Sequence, residues 1–188
     1  MEADWAAEIG PGLPVIDAEW AGFVDLRVNP FRLDEIPEAV RFPVLRDALI
    51  DLNDPLSPLF TVKCDVWELG AEEIDADEFG GTAGRCGAGL ASYVDVVLRD
   101  DSRFSAFAWQ ERWAQSAKDR LRVEPLSCGR VDLVVRAAAA AAREGFGITL
   151  YAAGCGVDGS AARVAWERVL RAAVAATMKE AWASSSIG

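Results

Sequence analysis

Histidine is absent from all 188 residues. That removes the residue most used as a general base near neutral pH, the commonest metal ligand, and every nucleophile pair of the Ser-His or Cys-His kind. Chemistry would fall to carboxylate, thiol, lysine or tyrosine, and there are only two tyrosines. Positive charge is also short: 19 Lys and Arg against 30 Asp and Glu leave a net charge of −11. Such a field repels phosphate backbones, so no nucleic-acid partner is expected. No run approaches the ~18 apolar residues of a membrane span. The opening MEADWAAEIGPGLPVIDAEW has no apolar segment of the signal-peptide type. The expectation is a soluble, cytoplasmic protein with no membrane partner, and in that setting Cys64, Cys86, Cys128 and Cys155 are expected to be reduced thiols.

What is present reads as a globular chain: 52% of residues are apolar and 26% charged, too rich in core-forming residues for disorder. The length predicts one α+β domain over residues 1–188, with an irregular segment at about 1–20. Alternating hydrophobicity predicts strands at 59–68, 92–99, 130–136 and 146–152, and a shorter one at 22–28. Three- and four-residue spacing predicts helices. One carries Ala106, Trp109, Trp113, Ala117 and Leu121; another starts at Ser160 and carries Trp166, Val169, Leu170 and Ala173; a shorter one follows Pro43. The order is β-α-β-β-α-β-β-α. The AAAAAAREG joining the last two strands is too short for a parallel crossover, so those strands form an antiparallel hairpin with a helical or irregular tip. The fold class is α+β: a mixed, mostly antiparallel sheet with helices packed mainly on one face.

Aspartate interrupts β-branched runs in YVDVVLRD (93–100) and RVDLVVRA (130–137), and again in KCDVWEL (63–69) and FVDLRV (23–28). If Val94, Val96 and Leu98 face the core, strand parity sends Asp95 and Arg99 to the outer face. Asp132 with Arg136, Lys63 with Asp65, and Asp25 with Arg27 then belong there too. Trp67, Tyr93, Val97, Val134 and Tyr151 share the same parity. They make the outer face amphipathic, a candidate surface for a second copy or a protein partner.

Three cysteines precede glycine: Cys86, Cys128 and Cys155. A hairpin centred on 141–142 places Cys128 opposite Cys155, and Cys86 just before strand 92–99 falls at the same edge. A rim of thiols could serve exchange chemistry, or the cysteines could simply fill small apolar slots. No closely spaced Cys pair exists, so no metal site is expected. GCGVDGSA (154–161) matches G-x-G-x-x-G between a strand and a helix. No second parallel strand follows, which excludes a dinucleotide site, and no cofactor is expected. Gly154, Cys155, Gly156, Asp158, Gly159 and Ser160, with Cys86 and Cys128, remain as a candidate pocket for a small molecule. DADEFGG (75–81) begins like a calcium loop but has Phe79 at its fifth position and Cys86 at its twelfth; it reads as a solvated acidic loop. Three readings follow. The leading one is an acidic module that self-associates or docks a protein through the outer face. The others are a small-molecule-binding domain at 154–160 and an enzyme using thiol or carboxylate chemistry at the Cys-Gly rim.

Overall fold

The computed structural model describes residues 1–12, 14–80 and 86–183. Its strands are β1 (Glu2–Glu8), β2 (Ile16–Asp17), β3 (Leu59–Leu69), β4 (Ala88–Leu98), β5 (Gly129–Ala140) and β6 (Arg143–Gly156). Its helices are α1 (Pro37–Arg41), α2 (Pro43–Asn53), α3 (Asp101–Phe104), α4 (Phe107–Arg122) and α5 (Gly159–Ala183). The strands form one mixed sheet in the order β1-β5-β6-β4-β3, with β2 continuing beside β5. Only the pairings of β1 and β2 with β5 are parallel. The α+β class, with a mostly antiparallel mixed sheet, is as the patterning predicts. No described helix is long and apolar enough to cross a membrane.

The helices α4, α5 and α2 cover the face carrying Val94, Leu133 and Leu150. Trp113, Ala117 and Leu121 of α4 and Trp166, Val169, Leu170 and Ala173 of α5 are all buried there, as their spacing requires. Two indoles are also satisfied as donors: Trp166 Nε1 gives to Ser92 Oγ at 2.9 Å, and Trp113 Nε1 to the Thr177 carbonyl at 2.9 Å. On the β3 side Asn53 ends α2 and locks it to the sheet, accepting from Thr61 N at 3.0 Å and donating to Thr61 Oγ1 at 2.7 Å.

Four local expectations are corrected. Residues 2–8 are a parallel edge strand rather than irregular chain. FVDLRV is not a strand: Asp25 accepts from the Arg27 backbone and guanidinium, and these local bonds hold a turn instead. Arg99 does not lie on an open face; it donates to the carbonyls of Leu59, Asn53 and Asp54, closing the end of α2. The polyalanine run stays extended through Ala140, and the hairpin closes in two residues, Ala141 and Ala142, with φ of 53° and 59°. Left-handed backbone at both positions is the type I′ turn, whose twist matches the strands. Helix propensity loses here to the β6 ladder, with Ala138 and Ala140 buried as small inward residues.

A bulge between Thr61 and Cys64 shifts the β3 register, so Phe60 pairs with Val97 and Asp65 with Tyr93. Phe60 therefore faces outward with Val97 while Thr61 faces α2, the reverse of an uninterrupted alternation. Although three strands separate β2 from β3 in the ladder, the two come into contact. This end of the sheet is therefore strongly curled. Ile16 fills the hollow, against Gly147 and near Val97, where any side chain on Gly147 would collide.

Candidate functional site

β6 ends where β4 and β5 begin, because it runs antiparallel to both. Cys86, Cys128 and Cys155 meet at that end. The hairpin register extends to Cys155 N–H donating to the Cys128 carbonyl at 2.9 Å, and Gly87 N–H donates to the Gly156 carbonyl at 2.7 Å. All three sulfurs lie within 4.8 Å of one another. Cys86 and Cys155 are joined in a disulfide with their Cα atoms 5.6 Å apart, and Cys128 is a free thiol. The expectation of four reduced thiols is thus corrected for one pair. It came from the inferred compartment, whereas the bond follows from the sheet bringing the two cysteines into reach.

The glycines of the three Cys-Gly pairs serve close approach, and none has positive φ. A Cβ on Gly129 would collide with Val169, one on Gly156 with the first turn of α5, and one on Gly87 with the Val157 carbonyl. Gly154 sits on the same face of β6 as Gly156, beneath the Trp166 backbone. The left-handed residue is Cys128 itself, at φ 59°. For a side-chain-bearing residue this costs about 1–2 kcal/mol, so the local backbone alone would favour glycine at 128.

Beside the sulfurs opens a cleft of about 580 Å³, lined by Cys128, Cys155, Gly156, Asp158, Ser160 and Arg168. Cys155 is buried, while Cys86 and Cys128 are partly exposed. Asp158, rather than Ser160, caps α5: its Oδ1 accepts from Ala161 N at 2.9 Å and its carbonyl from Ala162 N at 2.9 Å. The cap carboxylate offsets part of the positive helix end, which makes a bare anion pocket the weaker use of this cleft. Of the sequence candidates, Cys128, Cys155, Gly156, Asp158 and Ser160 line the cleft, Cys86 joins through the disulfide, and Gly154 and Gly159 lie outside its lining. Missed were the Pro125–Ser127 wall and the Ala161, Val164, Ala165, Arg168 stripe of α5. That stripe has helical spacing and was legible as a second face of α5.

The outer face carries a different arrangement. Register places Asp65, Asp95 and Asp132 on it, opposite the helices. They do not converge. Asp132 pairs with Arg130 at 2.7 Å, and Asp95 accepts from Thr149 Oγ1 at 2.6 Å. Burial holds the Asp95 carboxyl at a pKa of about 6, above the usual 3.8, against the lowering effects of Thr149, Arg136 and Lys63. Trp67, Tyr93 and Tyr151 form a row with ring centroids 6.3 and 6.1 Å apart, and Arg136 lies over Tyr151. Val97 and Val134 are buried, because the curled sheet and its neighbours already cover them, and offer no free surface. Cys64 is half-buried, and burial together with Glu38, Asp65 and Asp95 pushes its thiol up to about 12, so it stays protonated and unreactive. In the acidic loop, Asp75 caps a short turn by accepting from Asp77 N, and residues 81–85 lie outside the described residues.

No protein-family model matches this chain, and neither a curated protein nor a solved structure does.

Proposed function

We propose that the protein is a thiol–disulfide exchange protein in which a low-molecular-weight thiol entering the cleft at the start of α5 moves the Cys86 bond from Cys155 to Cys128. The supporting observation is the free Cys128 sulfur within 4.8 Å of both sulfurs of the Cys86–Cys155 bond. Of the bonded pair Cys86 is the exposed end, so an incoming thiolate attacks Cys86 Sγ. The Cys86–Cys155 bond breaks, and Cys155 leaves as a thiolate that takes a proton from solvent. Cys128, having given its own proton to water, then attacks Cys86 Sγ. A Cys86–Cys128 bond forms and the incoming thiol is released. Every step is an exchange, so no outside oxidant is consumed. The strained backbone at Cys128 fits this role, since a cysteine is kept where glycine would be more comfortable.

The test is peptide mapping after acid quench of folded protein incubated with millimolar reduced glutathione. A glutathione adduct on Cys86 is expected, followed by a bond between Cys128 and one of its neighbours; in Cys128→Ser the adduct should accumulate. A Cys86–Cys155 bond that persists with no adduct rules the reading out.

A second reading, a protein-docking surface on the outer face, is favoured by the row Trp67, Tyr93, Tyr151, of which Trp67 is 37% exposed. A second copy of this chain is the simplest occupant, since the same row could stack across a two-fold axis.

A further inference from the structure

We propose that, when the Cys86–Cys155 bond is reduced, Cys86, Cys128 and Cys155 form a three-thiolate site for Zn²⁺, with the fourth coordination position open to the cleft. The proposal uses the same sulfurs as the exchange reading but depends on no exchange step. Tetrahedral zinc with Zn–S near 2.3 Å needs sulfurs about 3.8 Å apart. The three sulfurs already lie within 4.8 Å, so opening the disulfide requires only a small spreading of Cys86 and Cys155. The backbone is pinned on both sides by the Cys155-to-Cys128 and Gly87-to-Gly156 hydrogen bonds, so the ligands are placed before the ion arrives. Sequence spacing conceals this site: no two of the cysteines are close in the chain, and only the sheet joins them.

Ligand chemistry selects the ion. Three thiolates and no carboxylate suit a soft or borderline ion and disfavour Mg²⁺ or Ca²⁺. Binding releases three thiol protons to solvent and leaves a centre of net charge −1. With three protein ligands and one open position, the centre would have the layout of a zinc site that receives an outside ligand rather than a closed structural one.

The experiment uses the full chain reduced with a phosphine under inert gas and titrated with Cd²⁺ as the spectroscopic surrogate, following the thiolate-to-metal charge-transfer band. Saturation at one Cd²⁺ per chain is expected, with displacement by Zn²⁺ and no band in the disulfide form. Cys86→Ser, Cys128→Ser and Cys155→Ser should each weaken binding by more than about a hundredfold, and Cys64→Ser should leave it unchanged. Because a serine variant can misfold, Cys128 is also alkylated in the oxidised wild-type protein before reduction, which should abolish the band without any mutation. Absence of the band overturns the proposal, as does binding indifferent to Cys128. A reduced chain that is unfolded by circular dichroism and is not refolded by Cd²⁺ overturns it too. Exchange with glutathione is scored separately in the presence of a chelator. Loss of metal binding with exchange intact removes only the zinc site, and the converse removes only the exchange reading.

Discussion

Asp95 is 4% exposed and faces away from the helices, with a single hydroxyl, Thr149 Oγ1, donating to it. Its folded pKa of about 6 lies above the unfolded 3.8, so the proton favours folding. The stabilisation is complete below about pH 4 and is lost as pH rises through about 6, a difference of roughly 2–3 kcal/mol. Asp95→Asn removes the charge and keeps an oxygen for Thr149. It should raise stability at pH 7 by about 1–2 kcal/mol after allowing for its amide hydrogens, and flatten the profile between pH 4 and 6. Urea denaturation at several pH values checks both; a mutant less stable than wild type at pH 7 would show that the ionised carboxylate is well accommodated. That Asp95 leaves the helix-covered face was legible from strand parity. Its burial was not, because the cover includes parts remote in sequence, Tyr151 on the neighbouring strand and the curl that follows from Ile16 and Gly147. Cys128 opposite Cys155 was equally legible, since one turn centre fixes every pair in a hairpin. The Cys86–Cys155 bond was hidden by an inference about compartment that strand geometry does not share.

The β5–β6 hairpin shows where local signals mislead. A run of alanines predicts a helical or irregular tip, yet Ala141 and Ala142 make a two-residue left-handed turn held by Glu19, whose Oε1 accepts from Ala142 N at 2.6 Å. Replacing Ala141 with Asn and Ala142 with Gly supplies the residues this turn prefers and should stabilise the protein by about 1–2 kcal/mol, read from the denaturation midpoint. A loss of stability would mean that the alanines pack in a way the turn chemistry does not capture. β1 misleads in the other direction. EADWAAE has no β-branched residue and a poor strand propensity, and only its seven-residue parallel register on β5 makes it a strand. The long helices were readable because an apolar stripe at helical spacing survives without knowledge of its partner, whereas an edge strand exists only through its neighbour.

At the scale of the whole molecule, a net charge of −11 works against association of like copies while the Trp67, Tyr93, Tyr151 row works for it. If the outer face pairs two copies, sedimentation at tens of micromolar should show a dimer that strengthens with added salt as repulsion is screened, and Trp67→Glu should return it to monomer. Such an interface should bury more than about 1,000 Å² in total. A wild-type monomer at every salt concentration removes the second reading and leaves the thiol reading untouched, because that reading rests on the three sulfurs and not on the aromatic row.

The parallel seat of β1 also sets an order of events during synthesis. Glu8 and its partner Arg136 are 128 residues apart, so residues 2–8 leave the ribosome long before the strand that holds them. β4 can pair early only with β3, since its other neighbour, β6, is made after β5. The central ladder therefore closes late, and its loop-closure entropy must be met before most of its contacts form. A nascent chain stalled ahead of residue 143 would carry β1, β4 and β5 as unpaired or half-paired edges, the form in which this sequence is most exposed to proteases and to pairing with other chains.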